Sequence, residues 1–392
     1  MESFNGRNIV GQAARDDDFF PRPDIIKLIY RRLDTGRHLH ISAPRRVGKT
    51  SVLHYLQEHP EEGFEFKYII TQSVSDPDVF FKQVLEALKD FNSISKKTMD
   101  SIVEFLEQLK LDVPGVGGFE IKNKEPNYLV NCKCVVKSLS SKNKTLVLMI
   151  DEFPQTVENI WRDSNDENAK RFLYANRELQ EIASKNIRFI YTGSIGLKPL
   201  CARLGALDAL NYLTTIEMGT LSVNEATLLC EGVLKRARVT VKPGVISYLL
   251  EMIHWLIPFH LQLALQELID ESDRGIDVID IDSVKNAIDK ITYRRNNQYF
   301  EHYYNHIVKT FKNQPREYNL ARKILDTLSR QDTLTRQEII ACATEQDALD
   351  QLNNILTVLQ YDGYIYEDAS KTPEEFRFTS PLIKIWWKKN ML

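Results

Sequence analysis

Two short polar clusters, far apart in the chain, carry the chemistry that this sequence can do. The first is Pro44-Arg45-Arg46-Val47-Gly48-Lys49-Thr50-Ser51, which follows the mostly apolar run Leu39-His40-Ile41-Ser42-Ala43. A loop of this kind lets backbone N–H groups turn inward around the β-phosphate of a nucleoside triphosphate. Lys49 then reaches the β/γ-phosphates, and the Thr50 hydroxyl is a ligand for Mg²⁺. A helix opening near Lys49 adds its positive N-terminal dipole to the same anion site. The full pattern is G-x-x-x-x-G-K-[ST], and Ala43 stands where the first glycine would be. Alanine is small enough for the loop, provided the position does not need a positive φ.

The second cluster is Asp151-Glu152, at the end of the apolar run Thr145-Leu146-Val147-Leu148-Met149-Ile150. Such a run suits a strand covered on both faces of a parallel sheet. Ligands of these sheets bind at the carboxyl ends of the strands, so Asp151 is expected to help hold Mg²⁺. Glu152 is the candidate to orient and polarise an attacking water, a contribution of about 10²- to 10⁴-fold for a positioned base. A third strand, Ile187–Thr192, ends in Thr192-Gly193-Ser194, whose hydroxyls can reach a γ-phosphate or the water.

The elements that must position these residues alternate. A helix follows Phe19-Phe20-Pro21-Arg22-Pro23-Asp24 and stops at Gly36; the aromatic-Pro-Arg entry either lines an adenine pocket or is a plain helix start. After the loop come a helix to about residue 59, a strand at 64–71 and a helix at 76–91. Pro114-Gly115-Val116-Gly117-Gly118 then marks a turn or small hairpin. Beyond Asp151 a helix at 168–183 and a candidate fifth strand at 212–218 complete an α/β pattern: a parallel sheet with helices on both faces. Residues 1–220 are therefore expected to form the phosphate-binding domain.

Composition excludes several classes. A chain of 392 residues holds two to three domains' worth of length, and its net charge of −3 does not favour a globally basic nucleic-acid binder. Five scattered cysteines without a C-x-x-C pair fit reduced thiols in a cytoplasmic protein. No basic-then-apolar signal segment opens the sequence, and no apolar span is long enough for a membrane helix.

The succession Ala43-Pro44-Arg45-Arg46-Val47-Gly48-Lys49-Thr50-Ser51, Ile150-Asp151-Glu152, Tyr191-Thr192-Gly193-Ser194 and Leu221-Ser222-Val223-Asn224-Glu225-Ala226 resembles the predicted bacterial and archaeal ATPases of the AAA+ class. These are related to the STAND and origin-recognition ATPases. The resemblance implies ATP and Mg²⁺ as ligands, with residues 44–51 binding nucleotide and Thr50 and Asp151 holding the metal. It makes Glu152 the catalytic carboxylate and Thr192 and Ser194 the candidates for the sensor position. It also implies a homo-oligomer or a protein partner, because the class usually completes its site with an arginine from a neighbour; Arg203 is either that arginine or a surface salt-bridge residue.

Helices at 223–238, 242–255 and 258–271 resemble the helical lid of the class, placed at 221–315 with a long connecting helix from Asp282 to Lys312. The lid's usual G-x-P element is replaced by Leu256-Ile257-Pro258-Phe259-His260, so His254 or His260 is either a phosphate sensor or a packed core residue. Basic residues from Lys285 to Lys323, interleaved with aromatics, either contact DNA or form the solvated and packed faces of a bridging helix. His302 and His306 are one turn apart but lack a third ligand nearby in sequence. Residues 316–392 are expected to form a winged helix. Its third helix at 348–361 has no Lys or Arg, and its wing carries Glu367, Asp368, Glu374 and Glu375. That argues for protein contact or autoregulation rather than DNA binding by this face.

Overall fold

In this computed structural model, residues 4–92, 127–138, 144–183, 185–193, 196–293, 298–312, 314–368 and 370–392 are described. The chain divides into two compact units. One holds residues 21–43 and 49–218; the other holds 1–20, 44–48 and 219–392.

The first unit is built on a five-stranded sheet: β1 (His38–Ser42), β2 (Phe64–Ile70), β3 (Thr145–Asp151), β4 (Ile187–Thr192) and β5 (Leu213–Glu217). Their order is β2-β3-β4-β1-β5, with every pairing parallel. β3 is buried along nearly its whole length, as its uninterrupted apolar run requires. Leu146, Leu148 and Ile150 point into a core with Ile187, Phe189 and Tyr191 of β4 and with Phe80, Phe153 and Phe172 from the neighbouring helices. The alternate residues Val147, Met149 and Ile190 are buried as well, so both faces of the sheet are covered.

Register brings the functional ends level. Ile70 pairs with Asp151, Ile150 with Tyr191, and Ile41 with Thr192. The carboxyl ends of β1, β3 and β4 therefore emerge on one edge of the sheet, where Lys49–Glu58 begins its helix one loop after β1.

Helices Phe153–Asp163 and Tyr128–Ser138 were not expected from the sequence. Pro154 sits in the first turn of the former, where a missing N–H costs nothing. The glycine-rich stretch expected as a hairpin lies outside the described residues.

The second unit carries helices Val223–Arg236, Val245–Ile253, Pro258–Asp273 and Ile281–Ile291. Ser222 and Glu225 form a reciprocal capping box at the first of them. The single helix expected from Asp282 to Lys312 is not found. It stops at Ile291, where the Thr292 hydroxyl donates to the Ile288 carbonyl, and a separate helix runs Glu301–Thr310. A threonine bonding back to the preceding turn competes with helix continuation. Beyond it come helices Pro315–Arg330, Arg336–Glu345 and Leu352–Tyr361, a three-stranded antiparallel sheet ordered β6 (Leu334–Thr335), β8 (Glu375–Phe378), β7 (Ile365–Asp368), and a closing helix Pro381–Asn390. Trp386 and Trp387 are fully buried here, and Trp387 Nε1 donates to Asp326 Oδ1 at 2.8 Å. Contacts do not separate 221–315 from 316–392.

β1 also contains two buried histidines whose chemistry fixes how the sheet responds to acid. His38 accepts the Phe189 N–H on Nδ1 and faces the Gln180 carbonyl with Nε2, an arrangement only the neutral ring satisfies. Burial, aided by Arg188, lowers its pKa to about 4. Burial and the Lys49 ammonium lower that of His40 to about 4. In the unfolded chain both titrate near 6.5. Between those values the unfolded state binds protons that the native state refuses, so this stability is complete above pH 6.5 and is lost as pH falls toward 4. Thermal unfolding followed from pH 7.5 to 4.5 should show a falling midpoint over that window, with faster hydrogen exchange at the Phe189 amide.

Candidate functional site

The Asp151 carboxylate is the centre of the site. It is 2% exposed and accepts four hydrogen bonds. Thr50 Oγ1 donates to Oδ2 at 2.9 Å and the Tyr68 hydroxyl to the same oxygen at 3.1 Å. Thr192 Oγ1 and the Glu152 N–H donate to Oδ1 at 3.1 and 3.0 Å. Sequence reasoning picked Thr50, Asp151, Glu152 and Thr192 and missed Tyr68. Tyr68 lies in an alternating strand, and its side-chain type carries no signal that its hydroxyl would be used.

The strand end is braced from behind. Thr71 N–H and Thr71 Oγ1 both donate to the Asp151 carbonyl, at 3.0 and 3.2 Å. Thr156 Oγ1 lies 2.7 Å from the Thr71 carbonyl and 2.8 Å from Thr71 Oγ1. Asn159 donates to the carbonyls of Gln72 and Val74. This network fixes the helix Phe153–Asp163 to the turn after β2, and with it the position of residue 152.

Glu152 itself adopts a left-handed backbone (φ 60°, ψ 29°) at the N-cap of that helix. For a residue with a Cβ this costs about 1–3 kcal/mol and persists only where the surroundings enforce it. Gly193 is part of the enforcement. A Cβ placed there would lie 2.5 Å from Pro154 Cδ and 2.9 Å from Pro154 Cγ, atoms of a rigid ring. Ser194, the other candidate hydroxyl of this strand end, lies outside the described residues.

In the α/β unit, Lys49 Nζ donates to the Ala43 carbonyl at 3.0 Å, and Lys49 is 7% exposed. Ala43 is not among the residues with positive φ, so its Cβ is tolerated at the first-glycine position. The left-handed positions of this stretch are Arg46 (φ 63°) and Gly48 (φ 97°). In the other unit, Val47 is buried and the two arginines have partners of their own. Arg45 Nη2 is 3.2 Å from His306 Nδ1, and the Arg46 guanidinium stacks 3.9 Å from the centre of the Phe259 ring.

Arg203, at the end of the helix Leu197–Arg203, places its guanidinium 4.7 Å from the centre of the Trp161 ring. His260 is fully buried among Trp255, Phe259, Phe300 and Tyr303, and burial together with Arg46 lowers its pKa to about 3. It is a packed, neutral core residue; His254 is exposed. Several basic side chains of the Lys285–Lys323 stretch pair with local acids: Lys285 with Asp282, Lys290 with Glu267, Arg316 with Asp347, Arg322 with Asp326 and Lys323 with Glu345. Arg294 and Arg295 lie outside the described residues. His306 faces Asp362 at 2.8 Å rather than a second metal-ligating histidine.

A Walker-type ATPase of Pyrococcus abyssi superposes with a TM-score of 0.61, covering 97% of this chain and 99% of its own at 14% identity. The ORC2 protein of Aeropyrum pernix, in ADPNP–ADP complexes, superposes with a TM-score of 0.54 over 93% of this chain and 91% of its own at 13% identity. The chain shares the fold of these two proteins. No protein-family model and no curated protein matches the sequence. No helix among the described residues is long and apolar enough to cross a membrane.

Within this fold the tight approach of Gly193 to Pro154 has a measurable consequence. Gly193→Ala must push the Glu152–Pro154 turn away from β4, an overpacking change that costs about 1–3 kcal/mol. The variant should melt earlier than wild type, and hydrogen exchange should quicken first in residues 151–156. Unchanged melting would place the close contact elsewhere.

Proposed function

We propose that the chain binds ATP with Mg²⁺ and hydrolyses it, acting as a nucleotide-driven switch. The observation that carries this reading is the convergence of the Thr50 hydroxyl, the Asp151 carboxylate and the Thr192 hydroxyl at one edge of a parallel sheet, one residue after Lys49. Thr50 Oγ1 and Asp151 Oδ2 form a pair of hard oxygen donors 2.9 Å apart, a set suited to Mg²⁺. Thr50 and Asp151 would hold the ion, which would supply positive charge to offset that of the phosphates.

Lys49 exchanges its contact with the Ala43 carbonyl for phosphate oxygens, and the loop 44–48 supplies N–H groups to the β-phosphate. Glu152, held beside Asp151 by its own N–H, orients the attacking water and takes its proton. Thr192, and Ser194 after it, sense the γ-phosphate. Arg203 or another arginine completes the site in a homo-oligomer or with a protein partner, where such a finger is worth about 10³–10⁵ in rate. The C-terminal segment 316–392, read as a winged helix, serves protein contact or autoregulation. The ion pairs along Lys285–Lys323 reduce the positive charge open to a DNA backbone and weigh against the alternative of a DNA-binding initiator or transposition helper.

Two variants test the reading. Lys49→Ala should abolish binding of a fluorescent ATP analogue. Glu152→Gln should keep that binding and slow phosphate release by at least about 10²-fold, the usual worth of a positioned base. Equal turnover by Glu152→Gln and wild type would remove Glu152 from the mechanism.

A further inference from the structure

The two arginines of the phosphate loop do not extend into solvent; they are taken up by the C-terminal half of the chain, within one compact unit. Arg45 donates from Nη2 to His306 Nδ1 at 3.2 Å, which assigns the ring proton to Nε2. That nitrogen stands 2.8 Å from Asp362 Oδ2. His306 and Asp362 are 5% and 9% exposed, so the carboxylate is withdrawn from water with the imidazole standing between it and Arg45.

The far end of this chain of contacts is rigidly placed. Asp362 caps the helix Leu352–Tyr361 and is followed by Gly363 at φ 76°, where a Cβ would lie 2.6 Å from Trp255 Cη2. Tyr364, fully buried, donates its hydroxyl to the Tyr303 carbonyl at 2.6 Å and so ties this turn to the helix bearing His306. The near end is conformationally demanding: Arg46, the next residue of the loop, is left-handed and held by Phe259. An anion site made of backbone N–H groups works only while the loop keeps its shape, and here the side chains that hold that shape belong to residues 259, 306 and 362.

We propose that Arg45, His306 and Asp362 form a link through which the C-terminal segment sets the conformation of the phosphate loop. His306 and Asp362 are then positioning residues for nucleotide binding that do not themselves touch nucleotide. This rests on the reading of the loop as the phosphate site. By linkage the coupling runs both ways, so whatever engages the turn at 362–364 changes nucleotide affinity, and nucleotide changes the turn.

The test uses the full chain and titration with methylanthraniloyl-ATP, with melting curves to confirm folding. His306→Phe and Asp362→Ala should weaken binding by about 5- to 50-fold, the range expected within one network. His306→Asn, which keeps an acceptor near the Nδ1 position, should return to within about threefold of wild type. In an Arg45→Ala background, His306→Phe should cost nothing further. Wild-type affinity in His306→Phe, or full additivity with Arg45→Ala, overturns the link. If wild type fails to bind, or Lys49→Ala binds as well as wild type, the phosphate-site reading itself falls, an outcome distinct from the first two.

Discussion

A carboxylate removed from water must be given donors, and the Asp151 side chain obtains them from four places in the chain. Thr50 comes from the helix after β1, Tyr68 from β2, Thr192 from β4 and the fourth from the backbone of residue 152. An ionised acceptor makes each such bond worth about 1.5–3 kcal/mol, and each donor lost leaves part of a buried charge exposed to an apolar interior. The demand therefore constrains the architecture. β3 has to lie between β2 and β4, their ends have to be level, and the helix after β1 has to point its first turn toward them. The observed strand order and register meet all three conditions.

Much of this was legible in the sequence because it is local. Gly48-Lys49-Thr50 and the apolar run into Asp151-Glu152 announce themselves by residue type, and Thr192 by its place at a strand end. Tyr68 was not legible, since only register decides which residue of an alternating strand meets a carboxylate two strands' worth of sequence away. Pro154 hid the helix whose first turn it occupies: a proline two residues after an acidic pair reads as a turn until the first-turn exception is recognised. Cys132, Val135 and Val136 give the helix at 128–138 its buried stripe, but a repeat that short does not separate helix from strand. The histidines at 302 and 306 share a spacing that suits a metal pair. What His306 meets instead, an arginine from position 45 and an aspartate from position 362, is set by tertiary placement alone.

The C-terminal unit shows the same economy with aromatic residues. Phe300, Tyr303, Tyr364, Phe376, Trp386 and Trp387 fill its interior, and their few polar atoms are spent on fixing elements to one another: Trp387 to Asp326, Tyr364 to the Tyr303 carbonyl. The N-terminal segment joins this unit rather than the sheet. Phe4 packs edge-on against Phe20 and lies so close to Gly232 that no Cβ could be accommodated there. Sequence proximity is thus a poor guide to membership: residues 1–20 and 44–48 belong with a unit whose bulk begins at residue 219.

Among the described residues β1 pairs with β4 and β5 alone, and this carries a consequence for biosynthesis. The strand that leads into residues 44–51 leaves the ribosome with neither neighbour yet made. At about 5–20 residues per second, the chain needs on the order of ten to thirty seconds before residue 217 is synthesised. Throughout that interval the strand has two open edges, a condition that invites pairing with other chains.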